Sequence, residues 1–278
     1  MPSPLIAPFD FVYSRFPGFR RWFWRRWYQY LSGTYRADEV MLMNYGYAPA
    51  SGDSSTDLVP QEELERLCLQ LYDRVFRDAL TELAPIASRD ILEVGSGRGG
   101  GAAFLARHYA PKSYVGLDFS SNNVAVCNEH HRLPNLSFRV GDAEAMPFPD
   151  ASFDGVVNVE SSHCYGTIGR FFSEVRRVLR EDGRFFYTDF RHSRDMPALE
   201  SALREAGLAQ VSKAIINEEV VRALEQDHAR RQGLIAEKVP RFLRGAVGAF
   251  AGLEGSAVYE SFRSGEREYF VYVLKRAE

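Results

Sequence analysis

The chain has 278 residues, 45% of them hydrophobic, which is enough for one large or two small globular domains. Its 34 Lys plus Arg against 37 Asp plus Glu give a net charge of -3, which argues against nucleic acid as a partner. It shows neither about 18 uninterrupted apolar residues nor a secretory signal pattern, so we expect a soluble, cytoplasmic protein.

The first 58 residues differ in composition from the rest and are expected to form a helical extension. From residue 16 onwards, aromatic residues recur every three or four positions, which predicts an amphipathic helix. These residues are Phe16, Phe19, Phe23, Trp27 and Tyr30. Three arrangements stay open for this helix: packing on its own domain, exchange between subunits of a homo-oligomer, or contact with a membrane surface through its arginines.

Residues 59–278 are expected to form the main domain. A helical pattern follows Pro60 as far as about Leu83. The strands predicted after it cover residues 90–94, 113–118, 136–141, 153–159, 184–190, 210–216 and 268–275, and the helices cover 100–109, 120–131, 168–180 and 198–205. This alternation predicts a doubly wound α/β fold with a parallel sheet covered on both faces.

Two further predictions concern connections in this domain. Asp182 and Gly183 are expected to form a turn before the fifth strand. The long helical region at residues 218–250 is expected to act as a lid over the acceptor pocket.

The three cysteines are Cys68, Cys127 and Cys164. They are odd in number, widely spaced and without a CxxC pair, which argues against a disulfide framework and against a zinc cluster. We therefore expect reduced thiols and no metal site.

A glycine-rich loop follows the first predicted strand. Gly95, Gly97 and Gly100 match the G-x-G-x-x-G pattern of dinucleotide-binding proteins, and Asp118 ends the next strand, where it can accept from ribose hydroxyls. Glu93 precedes the loop and would repel a pyrophosphate, whereas it would attract a cationic ligand. S-adenosylmethionine carries both a ribose and a sulfonium cation, so it fits this loop better than a nicotinamide dinucleotide does.

Acidic residues end three consecutive predicted strands: Glu93, Asp118 and Asp142. Ligands of α/β sheets bind outside the carboxyl ends of the strands, so these residues are expected to converge on one crevice. Asp142 is then placed to accept from the adenine amino group. Asp118 and Asp142 also have structural explanations, as a helix cap and a turn residue.

Several motifs in succession carry a family resemblance. They are Glu-x-Gly-x-Gly-x-Gly at 93–99, Gly-Leu-Asp at 116–118, Gly-Asp-Ala-Glu-Ala-Met-Pro-Phe at 141–148 and Val-Leu-Arg-Glu-Asp-Gly at 178–183. Together they resemble the class I S-adenosylmethionine-dependent methyltransferases over residues 88–190. Within that superfamily, Gly-Gly-Gly-Ala at 99–102 and Val-Glu-Ser-Ser-His-Cys-Tyr at 159–165 resemble the phthiotriolone-type lipid O-methyltransferases and actinobacterial natural-product methyltransferases.

The resemblance implies a Rossmann-like seven-stranded sheet in the order 3-2-1-4-5-7-6, with strand 7 antiparallel, and S-adenosylmethionine as the cofactor. The residues expected at the cofactor are Glu93, Gly95, Ser96, Gly97, Asp118, Phe119, Asp142, Ala143, Asn158 and Glu160. Asn158 and Glu160 lie at the end of the fourth strand. The alternative to a cofactor contact for these two side chains is a hydrogen bond to nearby backbone groups.

The expected catalytic residues follow the fourth and fifth strands. His163 is the candidate base, since its ordinary pKa near neutrality suits removal of a proton from a hydroxyl. Asp189 ends the fifth strand and is expected to orient that imidazole. Tyr165 and Glu160 are alternates. The competing explanations are a loop histidine bonded to a backbone carbonyl and, for Asp189, a capping or turn acid.

We therefore expect a methyltransferase acting on a hydrophobic small-molecule acceptor, a lipid or secondary metabolite. The resemblance favours O-methylation. C-methylation of an isoprenoid-bearing product is also open, because aromatic rings can stabilise a carbocation. Two hypotheses from different functional classes are an NAD(P)-dependent oxidoreductase, based on the literal glycine pattern, and a binding module without turnover.

Overall fold

The computed structural model describes residues 42–50, 58 and 62–277. The helix predicted around residues 16–30, with the three arrangements considered for it, lies outside the described residues. Within the described ranges, no helix is both long enough and apolar enough to cross a membrane.

A seven-stranded sheet forms the centre of the protein. Its strands are β1 (Asp90–Val94), β2 (Ser113–Asp118), β3 (Leu136–Val140), β4 (Phe153–Val159), β5 (Leu179–His192), β6 (Leu208–Ile215) and β7 (Arg267–Arg276). They lie in the order β3-β2-β1-β4-β5-β7-β6. All neighbours are parallel except β7, which is antiparallel to β5 and β6. The predicted fold class and strand order are confirmed.

The fifth strand begins earlier than predicted. The pairing of β4 with β5 is irregular between Phe153 and Gly155, where β5 accommodates extra residues. The turn expected at Asp182 and Gly183 is therefore wrong, because both residues lie inside β5. A Cβ on Gly183 would come within 3.1 Å of the Asp154 carbonyl oxygen, so the close approach of the two backbones explains the glycine.

Helices surround the sheet. They are α1 (Arg66–Phe76), α2 (Ala79–Glu82), α3 (Gly100–His108), α4 (Ser121–His130), α5 (Ile168–Val178), α6 (Met196–Glu205), α7 (Asn217–Gln226), α8 (His228–Lys238), α9 (Arg244–Phe250) and α10 (Ala257–Arg263). The long helical region predicted at 218–250 is thus divided into α7, α8 and α9, with breaks at Asp227 and around Pro240.

The alternation of side chains along the strands builds a core on each face of the sheet. Ile91 and Phe186 belong to the cluster that includes residues of α1, α3, α7 and α10. Their chain neighbours Leu92 and Phe185 belong to the other cluster, which includes residues of α5 and α6. Both clusters are buried from solvent. The carboxyl edge of β1, β2, β3 and β4 is left for the loops that form the site.

Candidate active site

The loop after β1 is built on glycines in the left-handed region. Gly95, Gly97 and Gly99 have φ angles of +79°, +55° and +80°, which other residues adopt only at a cost of about 1 kcal/mol or more. A Cβ on Gly95 would lie 2.3 Å from Ser161 Oγ, so no larger residue fits there. A Cβ on Gly97 would meet nothing within 4 Å. That side of the loop is therefore open to a ligand.

Asp118, at the end of β2, holds the glycine loop in place. Its Oδ2 accepts from the Gly97 N–H at 2.9 Å, and its Oδ1 accepts from the Ser120 N–H at 2.8 Å and from Asn123 Nδ2 at 3.1 Å. Burial raises the pKa of Asp118 to about 6 in spite of these bonds. The cap of α4 is Ser120, whose hydroxyl accepts from the Asn123 N–H, so Asp118 is not needed for that role.

The loops at this edge enclose a crevice of about 180 Å³. The predicted site residues in its wall are Gly95, Ser96, Gly97, Asp118, Phe119, Asp142, Ala143, Glu160 and Tyr165. The predicted residues outside the wall are Glu93, Asn158, His163 and Asp189. Residues that the sequence analysis missed also line the crevice, among them Leu42, Met43, Asn44 and Tyr72.

Glu93 lies behind the crevice wall. Its fully buried carboxylate accepts from the Tyr72 hydroxyl at 3.1 Å and from the Tyr114 hydroxyl at 2.8 Å. Burial raises the pKa of Glu93 to about 7. Tyr72 itself lines the crevice. A ligand in the crevice would therefore contact Tyr72, whereas the sequence pattern predicted that it would contact Glu93. The ring of Tyr72 packs on Gly101, where a Cβ would lie 2.0 Å from the ring.

The loop after β3 connects with the loop after β4. Asp142 Oδ1 accepts from the Glu144 N–H at 2.9 Å, so Asp142 has the turn role considered for it in addition to lining the crevice. Glu144 Oε1 accepts from the backbone N–H groups of Gly166 and Thr167 at 2.8 and 3.1 Å. These bonds fix the position of Asp142 relative to the end of β4.

Asn158 is fully buried and connects β4 with β1 and with the loop after β4. Its Nδ2 donates to the Val94 carbonyl oxygen at 2.8 Å and to Ser161 Oγ at 2.7 Å. Ser161 Oγ in turn lies 2.8 Å from the Tyr165 hydroxyl. Asn158 thus bonds to the backbone of the neighbouring strand β1, and it positions the wall residue Tyr165 beside the first glycine.

Glu160 connects the end of β4 to residues 42–48, which we call the strap. Its backbone has a φ of +43°, a conformation that is strained for a non-glycine residue and recurs at functional sites. Its Oε1 accepts from the Tyr45 N–H at 2.7 Å and from the Tyr269 hydroxyl. Burial raises the pKa of Glu160 to about 7. The strap is therefore bound directly to the crevice wall.

The strap also contacts the helices of the predicted lid. Arg231 of α8 donates to the carbonyl oxygens of Asn44 and Tyr45 at 3.0 and 3.3 Å. The Tyr45 hydroxyl donates to the carbonyl oxygen of Phe250, the last residue of α9, at 2.9 Å. The strap is thus joined by hydrogen bonds to helices α8 and α9.

His163 and Asp189 are brought together next to the crevice. His163 Nδ1 lies 2.8 Å from Asp189 Oδ1, and Asp189 Oδ2 accepts from the Ser162 hydroxyl at 2.5 Å and from the His163 N–H at 3.0 Å. Arg191 lies 3.2 Å from the same carboxylate. Asp189 is fully buried. Although burial opposes its ionisation, Arg191 and His163 hold the pKa of Asp189 well below its ordinary value.

The imidazole of this pair favours its protonated form. Burial acts to lower the pKa of His163, but Cys164 and Asp189 outweigh it and raise that pKa to about 10. The ring of His163 lies 4.7 Å from the ring of Phe190. The ring centroids of Phe190 and Tyr45 are 5.5 Å apart, and those of Phe262 and Tyr45 are 5.3 Å apart. The pair is thus bordered by aromatic side chains.

Comparison with known proteins identifies the family. A family model described as "Methyltransferase domain" matches residues 92–187. The phthiotriol/phenolphthiotriol dimycocerosates methyltransferase of Mycobacterium tuberculosis is 38% identical over 255 residues, which cover 91% of this chain and 92% of that protein. The chain belongs to the S-adenosylmethionine-dependent methyltransferases. The fatty-acid O-methyltransferase of Mycolicibacterium smegmatis is also 38% identical, over 90% of this chain and 89% of that protein.

Solved structures show the same fold. A putative sarcosine dimethylglycine methyltransferase from Galdieria sulphuraria matches with a TM-score of 0.70 and 18% identity, over 91% of this chain and 96% of that one. The geranyl diphosphate C-methyltransferase of Streptomyces coelicolor matches with a TM-score of 0.64 and 16% identity, over 93% and 98%. Family membership makes this methyltransferase an enzyme that uses S-adenosylmethionine, and it removes the basis for the nicotinamide hypothesis.

The crevice fits this cofactor. The Ser96 hydroxyl is buried in the wall and has no hydrogen-bond partner among the described residues. Such a group is costly unless a ligand completes its bonding. The open side of Gly97 gives the ligand room, and carboxylates at the ends of β2 and β3 suit ribose hydroxyls and an adenine amino group. The residues present would therefore hold S-adenosylmethionine through Ser96, Gly97, Asp118 and Asp142.

Proposed function

We propose that this methyltransferase transfers the methyl group to a hydroxyl oxygen of a hydrophobic lipid. The observation that carries the proposal is the hydrogen-bonded pair of His163 and Asp189, bordered by aromatic rings and adjacent to the crevice wall. A hydroxyl must lose its proton to become a strong nucleophile, so it needs a base at this position. The two mycobacterial relatives, named for phthiotriol and fatty-acid methylation, support a lipid as the acceptor.

A hydroxyl and a carboxylic acid would use the pair in different ways. A carboxylate is already ionised at neutral pH and needs no base. The protonated ring of His163, whose pKa is about 10, would act toward it as a cation. A hydroxyl needs the neutral ring as its base, so methylation of an alcohol should become faster as the pH rises toward 10.

Each residue of the pair has a defined role in this mechanism. Bound S-adenosylmethionine supplies a methyl group that is activated by its sulfonium. Asp189 accepts from His163 Nδ1, which orients the ring so that Nε2 of the neutral imidazole takes the proton of the acceptor hydroxyl. Because the pKa of His163 is about 10, this neutral form is the minor one at pH 7, and the expectation of a base with a pKa near neutrality is wrong. Asp189 also stabilises the imidazolium that results, because its own carboxylate stays ionised. The strap and the lid helices exclude water from the reacting atoms.

C-methylation is the second candidate, and the aromatic border of the pair favours it. Tyr45, Phe190 and Phe262 have ring centroids 5.3 to 5.5 Å apart. Rings of this kind stabilise a carbocation, which forms when an alkene attacks a methyl group. In that reaction His163 would accept a proton after the methyl transfer, so the loss of His163 would change the product and not only the rate.

The two candidates are distinguished by the atom that receives the methyl group. The full chain is incubated with 13C-methyl S-adenosylmethionine and, separately, a long-chain secondary alcohol, the matching ketone, a fatty acid and an isoprenoid alkene. We expect label in a methyl ether of the alcohol, and no product from the ketone. Label bonded to carbon would replace the proposal by C-methylation, and efficient labelling of the fatty acid alone would overturn the assignment of a hydroxyl acceptor.

A further inference from the structure

The connection between α8 and α9 presents an unusual surface, which we call the lid tip. It consists of the exposed residues Pro240, Arg241, Phe242, Gly245 and Ala246. Phe242 lies in a short 3-10 turn, Arg241–Leu243, and is 84% exposed, more than any other large hydrophobic residue in the described part of the chain. Together with the exposed Pro240, Gly245 and Ala246, this aromatic ring forms an apolar surface, and such patches mark contact sites.

The charge of this segment is opposite to that of the whole chain. Residues 238–250 contain Lys238, Arg241 and Arg244 and no acidic residue, although the chain carries a net charge of -3. Lys238 pairs with Glu237 at 2.9 Å, so the net positive charge comes from the two arginines. An exposed aromatic flanked by arginines is the composition that binds an anionic membrane surface.

The lid tip is held in a fixed conformation by one of these arginines. Arg244 Nε donates to the Val239 carbonyl oxygen at 2.9 Å, and Arg244 Nη2 donates to the Ala236 carbonyl oxygen at 2.5 Å. These bonds satisfy carbonyl groups at the end of α8 and close the turn that carries Phe242. The aromatic side chain is therefore presented by a closed turn rather than by a long loop.

The lid tip is also continuous with the acceptor side of the site. Helix α9 ends at Phe250, whose carbonyl oxygen accepts from the Tyr45 hydroxyl. Tyr45 packs against Phe190, and Phe190 packs against His163. An apolar molecule that enters beside α9 would therefore meet aromatic side chains as far as the pair of His163 and Asp189.

We propose that the lid tip docks on an anionic lipid bilayer, with Phe242 at the boundary of the acyl chains and Arg241 and Arg244 at the level of the phosphates. A second copy of the chain is a poorer occupant, because a symmetric contact would place the same arginines against each other. This inference concerns where the enzyme works, and it holds for either candidate methylation.

Co-sedimentation of the full chain with vesicles tests this docking. The vesicles contain equal parts of phosphatidylcholine and phosphatidylglycerol, or phosphatidylcholine alone. We expect binding to the anionic vesicles, weakened about tenfold by Phe242→Ser and about fivefold by Arg241→Gln. The matched controls are Leu80→Ser, 51% exposed on α2, and Arg132→Gln, an exposed arginine beyond α4. Both are expected to bind like the unaltered chain.

The remaining outcomes each decide the proposal. Vesicle binding that is the same in Phe242→Ser and Arg241→Gln as in the unaltered chain would overturn it and place the contact elsewhere. No vesicle binding, together with a change in molecular mass on substitution of Phe242, would also overturn it and assign the surface to a second copy. Binding of S-adenosylhomocysteine by every variant shows that the fold is intact. Docking without methylation of any lipid alcohol would contradict only the proposed acceptor.

Discussion

Replacing Asp189 with Asn removes the carboxylate that orients His163. The pKa of His163 is raised from 6.5 to about 10 with Asp189 as one of its causes, and a shift of that size corresponds to at most about 5 kcal/mol between the two protonation states. In Asp189→Asn, the imidazole keeps Cys164 but loses the carboxylate, while burial still acts to lower its pKa, so the pKa of His163 falls. The loss of a buried partner for Arg191 destabilises the fold by about 3 kcal/mol.

The sign of the pH dependence follows from the raised pKa. The stability that His163 contributes is complete below pH 6.5 and is lost as the pH rises through about 10. The free energy of unfolding of the unaltered enzyme should therefore fall across that window, and this slope should be smaller in Asp189→Asn, which keeps Cys164 beside the ring. Urea unfolding and NMR titration of the His163 ring measure both effects. Asp195→Asn, an exposed carboxylate nearby, is the control. An unchanged His163 titration in Asp189→Asn would refute this reasoning.

Three further substitutions test the glycine loop and the buried acid behind it. Burial raises the pKa of Glu93 from 4.5 in the unfolded chain to about 7 in the folded one. The free energy of unfolding therefore falls as the pH rises between those values, because the unfolded chain releases the proton first. In urea unfolding, Glu93→Gln should therefore be more stable than the unaltered enzyme above pH 7, by up to about 3 kcal/mol. Below pH 4 the two should have the same stability. A lower stability of Glu93→Gln at pH 8 would contradict the assigned burial effect. Gly97→Ala should cost about 1 kcal/mol of stability but weaken S-adenosylhomocysteine binding at least tenfold in calorimetry, because its methyl group enters open space that the ligand needs. Gly95→Ala should mainly destabilise the fold, since its Cβ meets Ser161. If Gly97→Ala bound S-adenosylhomocysteine as tightly as the unaltered enzyme does, the ligand would have to lie elsewhere.

The sheet was predictable because its strands carry strong local signals. Apolar runs with turn residues between them predicted β1, β2 and β4 with their observed bounds. The start of β5 was missed because Asp182 and Gly183 have the composition of a turn. Only the pairing with β4 shows that these residues belong to an irregular part of the strand, and pairing is a long-range property.

The candidate site was predictable where residues end strands of the same edge. Asp118 ends β2, and Asp142 and His163 follow β3 and β4 closely, where the carboxyl ends of parallel strands meet. The expected place of Asp189 at the end of the fifth strand is wrong, because β5 continues to His192, but the carboxylate of Asp189 still reaches His163. Tyr72 and the strap were not predictable in this way. They reach the site from elements that precede the sheet in the chain, and nothing local indicates where those elements pack.

The most direct test is the rate of methyl transfer to a long-chain secondary alcohol in a single turnover, compared between the unaltered enzyme and His163→Ala. General-base catalysis predicts a fall of about 10² to 10⁴, with unchanged binding of S-adenosylhomocysteine because His163 lies outside the crevice wall. It also predicts that kcat/KM of the unaltered enzyme rises with pH toward about 10, where His163 becomes neutral. A His163→Ala enzyme that methylates the alcohol at the unaltered rate would contradict the account.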